Sequence, residues 1–413
     1  MEKNFRCCWF GESERSGVMG KLEHGPVYLD NHATTQMDQR VLDAMLPYFS
    51  DKFGNPHSDS HYFGWEASEA INISREKIAN SIGANADEIV FTSGATEANN
   101  LALKGVARLF GKKKDHIITC VTEHPCVLES VRSLVDEGMR ATYLNVNHDG
   151  LIDITELEQA ITKDTLLVSV MAVQNEIGTI QPLSEIGEIC HRNNVYFHSD
   201  GAQALGKIPI DVKKMNIDMM SITGHKVYGP MGCGALYIGK TPKVKLMPLF
   251  SGGGQERGIR SGTLPTPLCV GFGKTCELAI DLLAVESISI GRKRDLLLEK
   301  LTSKLSGVHI NGCMKHRVAG NLNLSIDKVD AESLIASLPD LAFSTGSACS
   351  SNSDSSYVLK EIGLSNSEID SSMRIGLGRF SSDDQINYAG DRLIEEVRKI
   401  RNSRRSIFIN AAE

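Results

Sequence analysis

The 413-residue chain has no apolar run approaching the roughly 18–20 residues of a membrane-spanning helix, which excludes a helical integral membrane protein. It has no basic surplus either. With 44 Lys+Arg against 51 Asp+Glu the net charge is −7, so nucleic acid and anionic membranes do not find the basic face they need. No C-x-x-C pair occurs, and the ten cysteines are scattered. That pattern excludes a zinc ribbon, a thioredoxin-like motif and a disulfide framework, and it suits a reducing compartment. The first 25 residues lack a continuous apolar core for a secretory signal. Their Glu2, Glu12, Glu14 and Glu23 also set them apart from acid-poor, Arg-rich transit peptides. They read as a flexible leader, with bacterial cytoplasm favoured over the mitochondrial matrix.

What remains is an ordinary globular composition, 41% apolar and 23% charged, in a chain long enough for two domains. Apolar, β-branched runs predict buried strands at Glu88–Thr92, His116–Val121, Leu166–Val173, Val195–His198, Met219–Ile222 and Ala235–Ile238. Between them, Ala95–Phe110, Pro125–Glu137 and Leu183–Asn193 carry apolar residues at helical spacing. This alternation predicts an α/β fold with a mainly parallel sheet covered on both faces. Beyond Pro265 the texture changes. An amphipathic helix is expected at about Glu286–Leu305, a strand at Asn321–Ile326, a Ser/Gly-rich loop at Ser344–Ser356 and a charged closing helix near Asp384–Ile400. The expected organisation is a leader at 1–25, a large domain at 36–284, and a smaller α+β domain built from 26–35 and 285–413.

The chemistry starts at Lys226. The segment Ser221–Pro230 (SITGHKVYGP) places it just past a strand, at the mouth of the sheet, where α/β proteins hold ligands. A lysine shielded from water there loses proton affinity and becomes an amine nucleophile suited to a Schiff base. By itself it would read as a solvated loop lysine. Asp200, at the end of another strand and followed by Gln203, changes that reading. Alone, Asp200 would be a helix cap. With Lys226 it makes the pair that pyridoxal phosphate requires, the carboxylate holding the ring nitrogen so that the ring stays an electron sink. Gln203 is then a donor for the ring oxygen. Phe91–Glu97 (FTSGATE) turns from strand into helix and offers the phosphate backbone N–H groups, a positive helix end and the Thr96 hydroxyl. Thr223 and His225 add two donors. The glycine-crowded stretch Ser251–Thr263 allows close backbone approach to a ligand or a neighbouring subunit.

In these motifs and their order the chain resembles the pyridoxal-phosphate-dependent cysteine desulfurases, of the housekeeping type that serves iron–sulfur cluster assembly. The resemblance runs from Tyr28–Thr35 (YLDNHATT) to Leu377–Phe380 (LGRF). It passes through Phe53–Ser58, Thr92–Asn99, Thr122-Glu123-His124, Asn175–Gly178, the Lys226 motif, the Gly252 loop and Ser344–Cys349. It implies fold type I of the pyridoxal enzymes and a homodimer, with a small domain made from both chain ends. Position by position, it implies that Lys226 forms the Schiff base with the cofactor. His124 would stack on the ring and move protons; outside its motif it would read as a capping or core histidine. Asp200 and Gln203 would hold the ring nitrogen and oxygen. Ala95, Thr96, Thr223 and His225 would hold the phosphate, with Thr263 reaching it from the partner subunit. Asn175 and Arg374 would bind the substrate carboxylate, a role suited to a guanidinium fork. Without the motif, Arg374 would be a plain salt-bridge residue.

Cys349 decides which reaction the cofactor serves. In a flexible Ser/Gly-rich loop a thiol can enter a pocket and swing out to a partner, whereas most of the other cysteines read as inert core thiols. The resemblance implies L-cysteine as substrate and L-alanine plus a Cys349 persulfide as products. The recipients would be an iron–sulfur scaffold protein and other acceptors, including those of tRNA thiolation. A selenocysteine lyase or another aminotransferase-like enzyme could use the same fold, and a non-catalytic assembly scaffold could keep it. An aminotransferase has no need of Cys349, and a scaffold has no need of Lys226, Asp200, His124 and Cys349 together. The chain departs from the family's pattern in four places. The loop after Cys349 is one residue shorter, Thr223 stands where Ser is usual, and Met231 stands where Lys is usual. The stretch Ser406–Glu413 lacks the tail on which the scaffold docks.

Overall fold

The computed structural model describes residues 25–241, 243–345 and 355–410. In chain order its strands are β1 (Val27–Tyr28), β2 (Ile89–Thr92), β3 (His116–Cys120), β4 (Arg140–Leu144), β5 (Thr165–Ser169) and β6 (Tyr196–Asp200). They continue with β7 (Met219–Thr223), β8 (Gly234–Ile238), β9 (Val308–Ile310), β10 (Asn321–Ile326), β11 (Leu341–Ala342) and β12 (Ser372–Gly376). Seven of them form one sheet in the order β2-β8-β7-β6-β5-β3-β4. From β4 through β7 every pairing is parallel, and only β8 is reversed, lying antiparallel to both β7 and β2. This is the mainly parallel α/β sheet that the alternation predicts.

β2, β3, β5, β7 and β8 are buried at every position, so both faces must be covered. The principal helices are α1 (Tyr62–Ser81), α2 (Ala95–Phe110), α3 (Pro125–Asp136), α4 (Leu183–Arg192), α5 (Thr266–Lys304), α6 (Tyr357–Glu361) and α7 (Asp383–Asn410). Side chains alternate along each strand, and the core divides accordingly. Val90, Ile117 and Leu167 pack with Leu101, Val127 and Val131 of α2 and α3. Their neighbours Phe91, Ile118 and Val168 pack with Ile78, Ile186 and Phe272 of α1, α4 and α5. β4 lies at the sheet edge with Arg140 and Tyr143 exposed. Its polar residues break the apolar run, so reading apolar runs alone passes over it.

The helix expected at Glu286–Leu305 begins twenty residues earlier and is continuous for 39 residues from Thr266. Its first half buries Cys269, Phe272, Cys276 and Ala279 in the large-sheet core, whereas Leu297 and Leu301 belong to a second core. A helix buried on several sides has no polar face to mark its period. The second core surrounds the antiparallel sheet β12-β10-β9 and includes Leu322, Leu324, Ile375, Leu393 and Val397. β1 pairs with β11, so Val27 and Leu29 enter this same core from the other end of the sequence. Among the described residues no helix is long and apolar enough to cross a membrane.

Candidate active site

At the carboxyl edge of the large sheet the apolar strands end in polar residues: Thr92 on β2, Asp200 on β6 and Thr223 on β7. A strand end at a sheet edge has backbone groups outside the ladder and room for a ligand, and here the ends converge on a cavity of about 440 Å3. Ala95, Thr96, His124, Asn175, Asp200, Gln203, Thr223, His225 and Lys226 all line it.

Lys226 follows β7 through the short turn Gly224–Lys226. Its Nζ donates to the carbonyls of His32 at 2.7 Å and Ala33 at 2.6 Å. A second lysine stands near. Lys207 Nζ donates to Gln203 Oε1 at 2.5 Å. Burial, with Lys226 and Arg374 close by, pushes the Lys207 amine down to about 7. Burial and the same two lysines hold His225 down at about 4. His32 is lowered by burial, Lys207 and Arg374. The histidines are therefore neutral near pH 7, and the positive charge sits on lysine and arginine, a field that favours an anionic ligand.

In the same cavity wall α2 opens at Gly94, whose φ of +151° suits glycine. β8 passes so close that a Cβ on Gly234 would stand 2.7 Å from Gly94 Cα. No side chain caps α2. Among the described residues, the N–H groups of Ala95, Thr96 and Glu97 make no hydrogen bond within the protein, as the first turn of a helix requires. Asp200 is buried. It accepts from Asn99 Nδ2 at 2.7 Å and from the Ala202 N–H at 2.9 Å, and forms no ion pair among the described residues. A buried carboxylate facing an open helix N-terminus and an amine fits pyridoxal phosphate: a ring N–H for Asp200, a phosphate for α2 and an aldehyde for Lys226.

Other expected residues have different settings. His124 both lines the cavity and caps α3, its Nδ1 accepting the Cys126 N–H at 3.2 Å. The capping reading holds, and the same residue still lines the cavity. Gln203 spends one amide hydrogen on the His32 carbonyl at 2.9 Å. Arg374, in β12, is fully buried behind the cavity. Its guanidinium donates to the Asn175 carbonyl at 3.2 Å and pairs with Asp30 at 3.0 Å, as a salt-bridge residue would. Thr263 is exposed and lies outside this chain's cavity. Cys349 lies outside the described residues. Of the remaining cysteines, Cys120, Cys190, Cys233, Cys269 and Cys276 are buried.

Sequence reasoning passes over several neighbours of the site. Cys126 lines the cavity, and Asn99 holds Asp200. Glu123 is fully buried, and burial followed by the nearby Asp200 raises its carboxyl well above the usual range. Glu176 accepts from Ser356 Oγ at 2.6 Å, and burial pushes it up to about 7. The available signal was proximity to motif residues, since Glu123 and Cys126 flank His124 and Glu176 follows Asn175.

Fold and cavity together define a class: a pyridoxal-phosphate enzyme with its lysine at the carboxyl edge of a mainly parallel sheet. The Aminotransferase class-V family pattern matches residues 27–388. "Cysteine desulfurase IscS" of Rickettsia felis is 52% identical over 377 residues, covering 91% of this chain and 92% of that protein. A solved structure titled "NIFS-LIKE PROTEIN" superposes with a TM-score of 0.85 at 35% identity, over 90% of this chain and 99% of that one. Another, "SspA in complex with cysteine", has a TM-score of 0.77 at 39% identity, over 86% and 100%. The chain belongs to the class-V aminotransferase family and, within it, to the cysteine desulfurases.

Proposed function

We propose that this chain converts L-cysteine to L-alanine and keeps the sulfur as a persulfide on Cys349, for iron–sulfur cluster assembly and for tRNA thiolation. The observation that carries the reading is that Lys226, the buried Asp200 and the open N-terminus of α2 line one cavity. Relatives named cysteine desulfurase, and one solved with cysteine, support the choice of substrate.

Pyridoxal phosphate, when bound, supplies an aldehyde that captures an amine and a ring that accepts the electron pair left when the α-proton departs. Asp200 would hold the ring nitrogen and Gln203 the ring oxygen. The N–H groups of Ala95 and Thr96, with Thr223 and His225, would hold the phosphate. Lys226 provides the amine and the base for the α-proton. Asn175 and Arg374 would orient the substrate carboxylate, Asn175 from the cavity wall and Arg374 by its charge from behind it. Cys349 supplies the thiolate that takes the sulfur. One C–S bond breaks and one S–S bond forms, so cysteine plus the thiol gives alanine plus the persulfide.

The working unit in this reading is a homodimer in which Thr263 serves the second copy's site. The exposed aromatics Phe49, Phe53, Tyr62 and Trp65 support it, since so many on one segment call for cover. An iron–sulfur scaffold protein is the proposed sulfur acceptor and bacterial cytoplasm the proposed compartment. The test is the absorbance of the purified protein between about 300 and 500 nm, with and without L-cysteine. A band near roughly 400–420 nm that shifts with L-cysteine while alanine and, under reductant, sulfide appear is the expected result. A yellow protein that makes no alanine, or a Cys349→Ala variant that releases sulfide at the wild-type rate, overturns the reading.

A further inference from the structure

The proposed function gives Cys126 no part in holding the cofactor or carrying sulfur, yet Cys126 lines the cavity beside residues that do have a part. Its Sγ lies 3.0 Å from His124 Nδ1 and 3.2 Å from Asn99 Nδ2. Hydrogen positions follow from the donors present. One Asn99 Nδ2 hydrogen goes to Asp200 Oδ2 at 2.7 Å, leaving the other for Sγ, so there the sulfur accepts. The Cys126 backbone N–H donates to His124 Nδ1 at 3.2 Å, so Nδ1 bears a lone pair, which is also the acceptor for the S–H. Burial pushes the thiol up to about 12, so it keeps the proton it donates.

The Asn99 amide gives an independent sign. Asn99 is fully buried, and its Oδ1 has no hydrogen-bond partner. An unpaired buried carbonyl is costly, and most folds avoid one. The opposite orientation would set that oxygen against the Asp200 carboxylate. The amide is therefore turned so that both N–H groups serve Asp200 and Cys126 at the expense of its own oxygen.

We infer that Cys126 is a positioning residue for His124: its thiol donates to Nδ1 and accepts from Asn99, joining the His124 ring to the Asp200 carboxylate and leaving the ring's one proton on Nε2. The inference rests on the reading that His124 and Asp200 serve the pyridoxal-phosphate site. An imidazolium needs a proton on Nδ1, where two donors already converge. His124 thus offers the cavity a donor at Nε2, and proton abstraction falls to Lys226. The charged groups facing the ring act in both directions. Burial lowers His124, Asp200 opposes that, and Lys226 adds to it, while burial and then Asp200 raise the carboxyl of Glu123, next to it in sequence.

The test uses the full chain without cofactor and follows hydrogen–deuterium exchange at the Cε1 of each histidine by mass spectrometry across pH. Cys126→Ala removes one hydrogen bond to Nδ1 and should raise the His124 midpoint by about half a unit to one unit. Cys126→Ser, which keeps an O–H donor, should return it to the wild-type value. His198, buried against Ser169 and Ser221, should not move. An unchanged His124 midpoint in Cys126→Ala, or a Cys126→Ser midpoint displaced as far as that of Ala, overturns the inference. Cys126→Val deletes the donor with less loss of volume and gives the same readout if the Ala variant fails to fold. Absence of alanine formation by wild type would sink the desulfurase reading without moving these midpoints.

Discussion

The two ends of the parallel strands are built differently. At the amino ends, Asp115, Arg140 and Asp164 form an ion-pair cluster in which each side chain is about half exposed, at 45%, 55% and 44%. Each charge of that cluster has both a partner and water. At the carboxyl ends Glu123, Asp200 and Asn99 are buried. The four buried side-chain atoms without partners among the described residues are His32 Nε2, Asn99 Oδ1, Glu123 Oε2 and Arg374 Nε. Each adjoins or bonds to a residue of the cavity wall. Folded chains leave few such atoms unpaired, and this chain gathers them at one end. One end of the sheet is arranged for solubility and the other for the charges a ligand brings, and substitutions should separate the two.

The largest separation should come from Lys226→Ala. Lys226 donates to the carbonyls of His32 and Ala33, polar groups at the cavity and not part of the apolar core, so its removal leaves that core intact. Loss of the amine nucleophile and base should cut alanine formation from L-cysteine by at least about a thousandfold. The melting temperature of the cofactor-free protein should stay within about 2 °C of wild type. Retained turnover would break the comparison at its functional end.

Much of this contrast was legible in the sequence, for physical reasons. Strands buried on both faces are mostly apolar runs, so β7 and β8 were found to within a residue, and β10 was found at both ends by its leucines and isoleucine alternating with Asn321, Asn323 and Ser325. α2 is legible from Ala95 to Phe110 by apolar residues at helical spacing, whereas the poor helix formers Gly271 and Gly273 hide the first half of α5. That Lys226, Asp200, Thr96 and Thr223 gather round one cavity was readable because the carboxyl ends of parallel strands lie at one edge of the sheet. The residues acting through other side chains were not. Glu176 and Ser356 are 180 positions apart, and nothing local distinguishes a buried glutamate from a solvated one. The same holds for Lys207, which sits four residues after Gln203 and reads as a surface lysine until the fold closes over it.

Glu176 supplies the intermediate effect and a pH signature. Burial raises its carboxyl to about 7 against 4.5 for the free group, while Ser356 and Arg374 pull the other way. Between those values the unfolded chain has released the proton and the folded chain still holds it. The folded state therefore binds more protons, and stability falls as pH rises through that window. Glu176→Gln keeps a neutral acceptor for Ser356 and removes the titration. Chemical denaturation at pH 4.5 and pH 8 should show wild type losing on the order of 2–3 kcal/mol more than the variant between the two. Equal pH dependence of the two proteins would mean that Glu176 is ionised in the fold.

The smallest effect belongs to the amino ends. Arg140 Nη2 lies 2.5 Å from Asp115 and 3.4 Å from Asp164, and the guanidinium's Nε reaches Asp115 as well. Geometry of that kind looks strong, but all three groups face water, where salt and side-chain entropy cancel most of the attraction. Arg140→Ala should lower the melting temperature by no more than about 2 °C and leave alanine formation unchanged. Raising the salt concentration should narrow even that difference, because screening weakens the pair in wild type and has nothing to weaken in the variant. A loss of turnover in Arg140→Ala would mean that the two ends of the sheet are coupled, and the division drawn between them would fail. A large stability loss that persists at high salt would instead place Arg140 in the packing of β4 against β3, where its aliphatic stem and not its charge holds the edge.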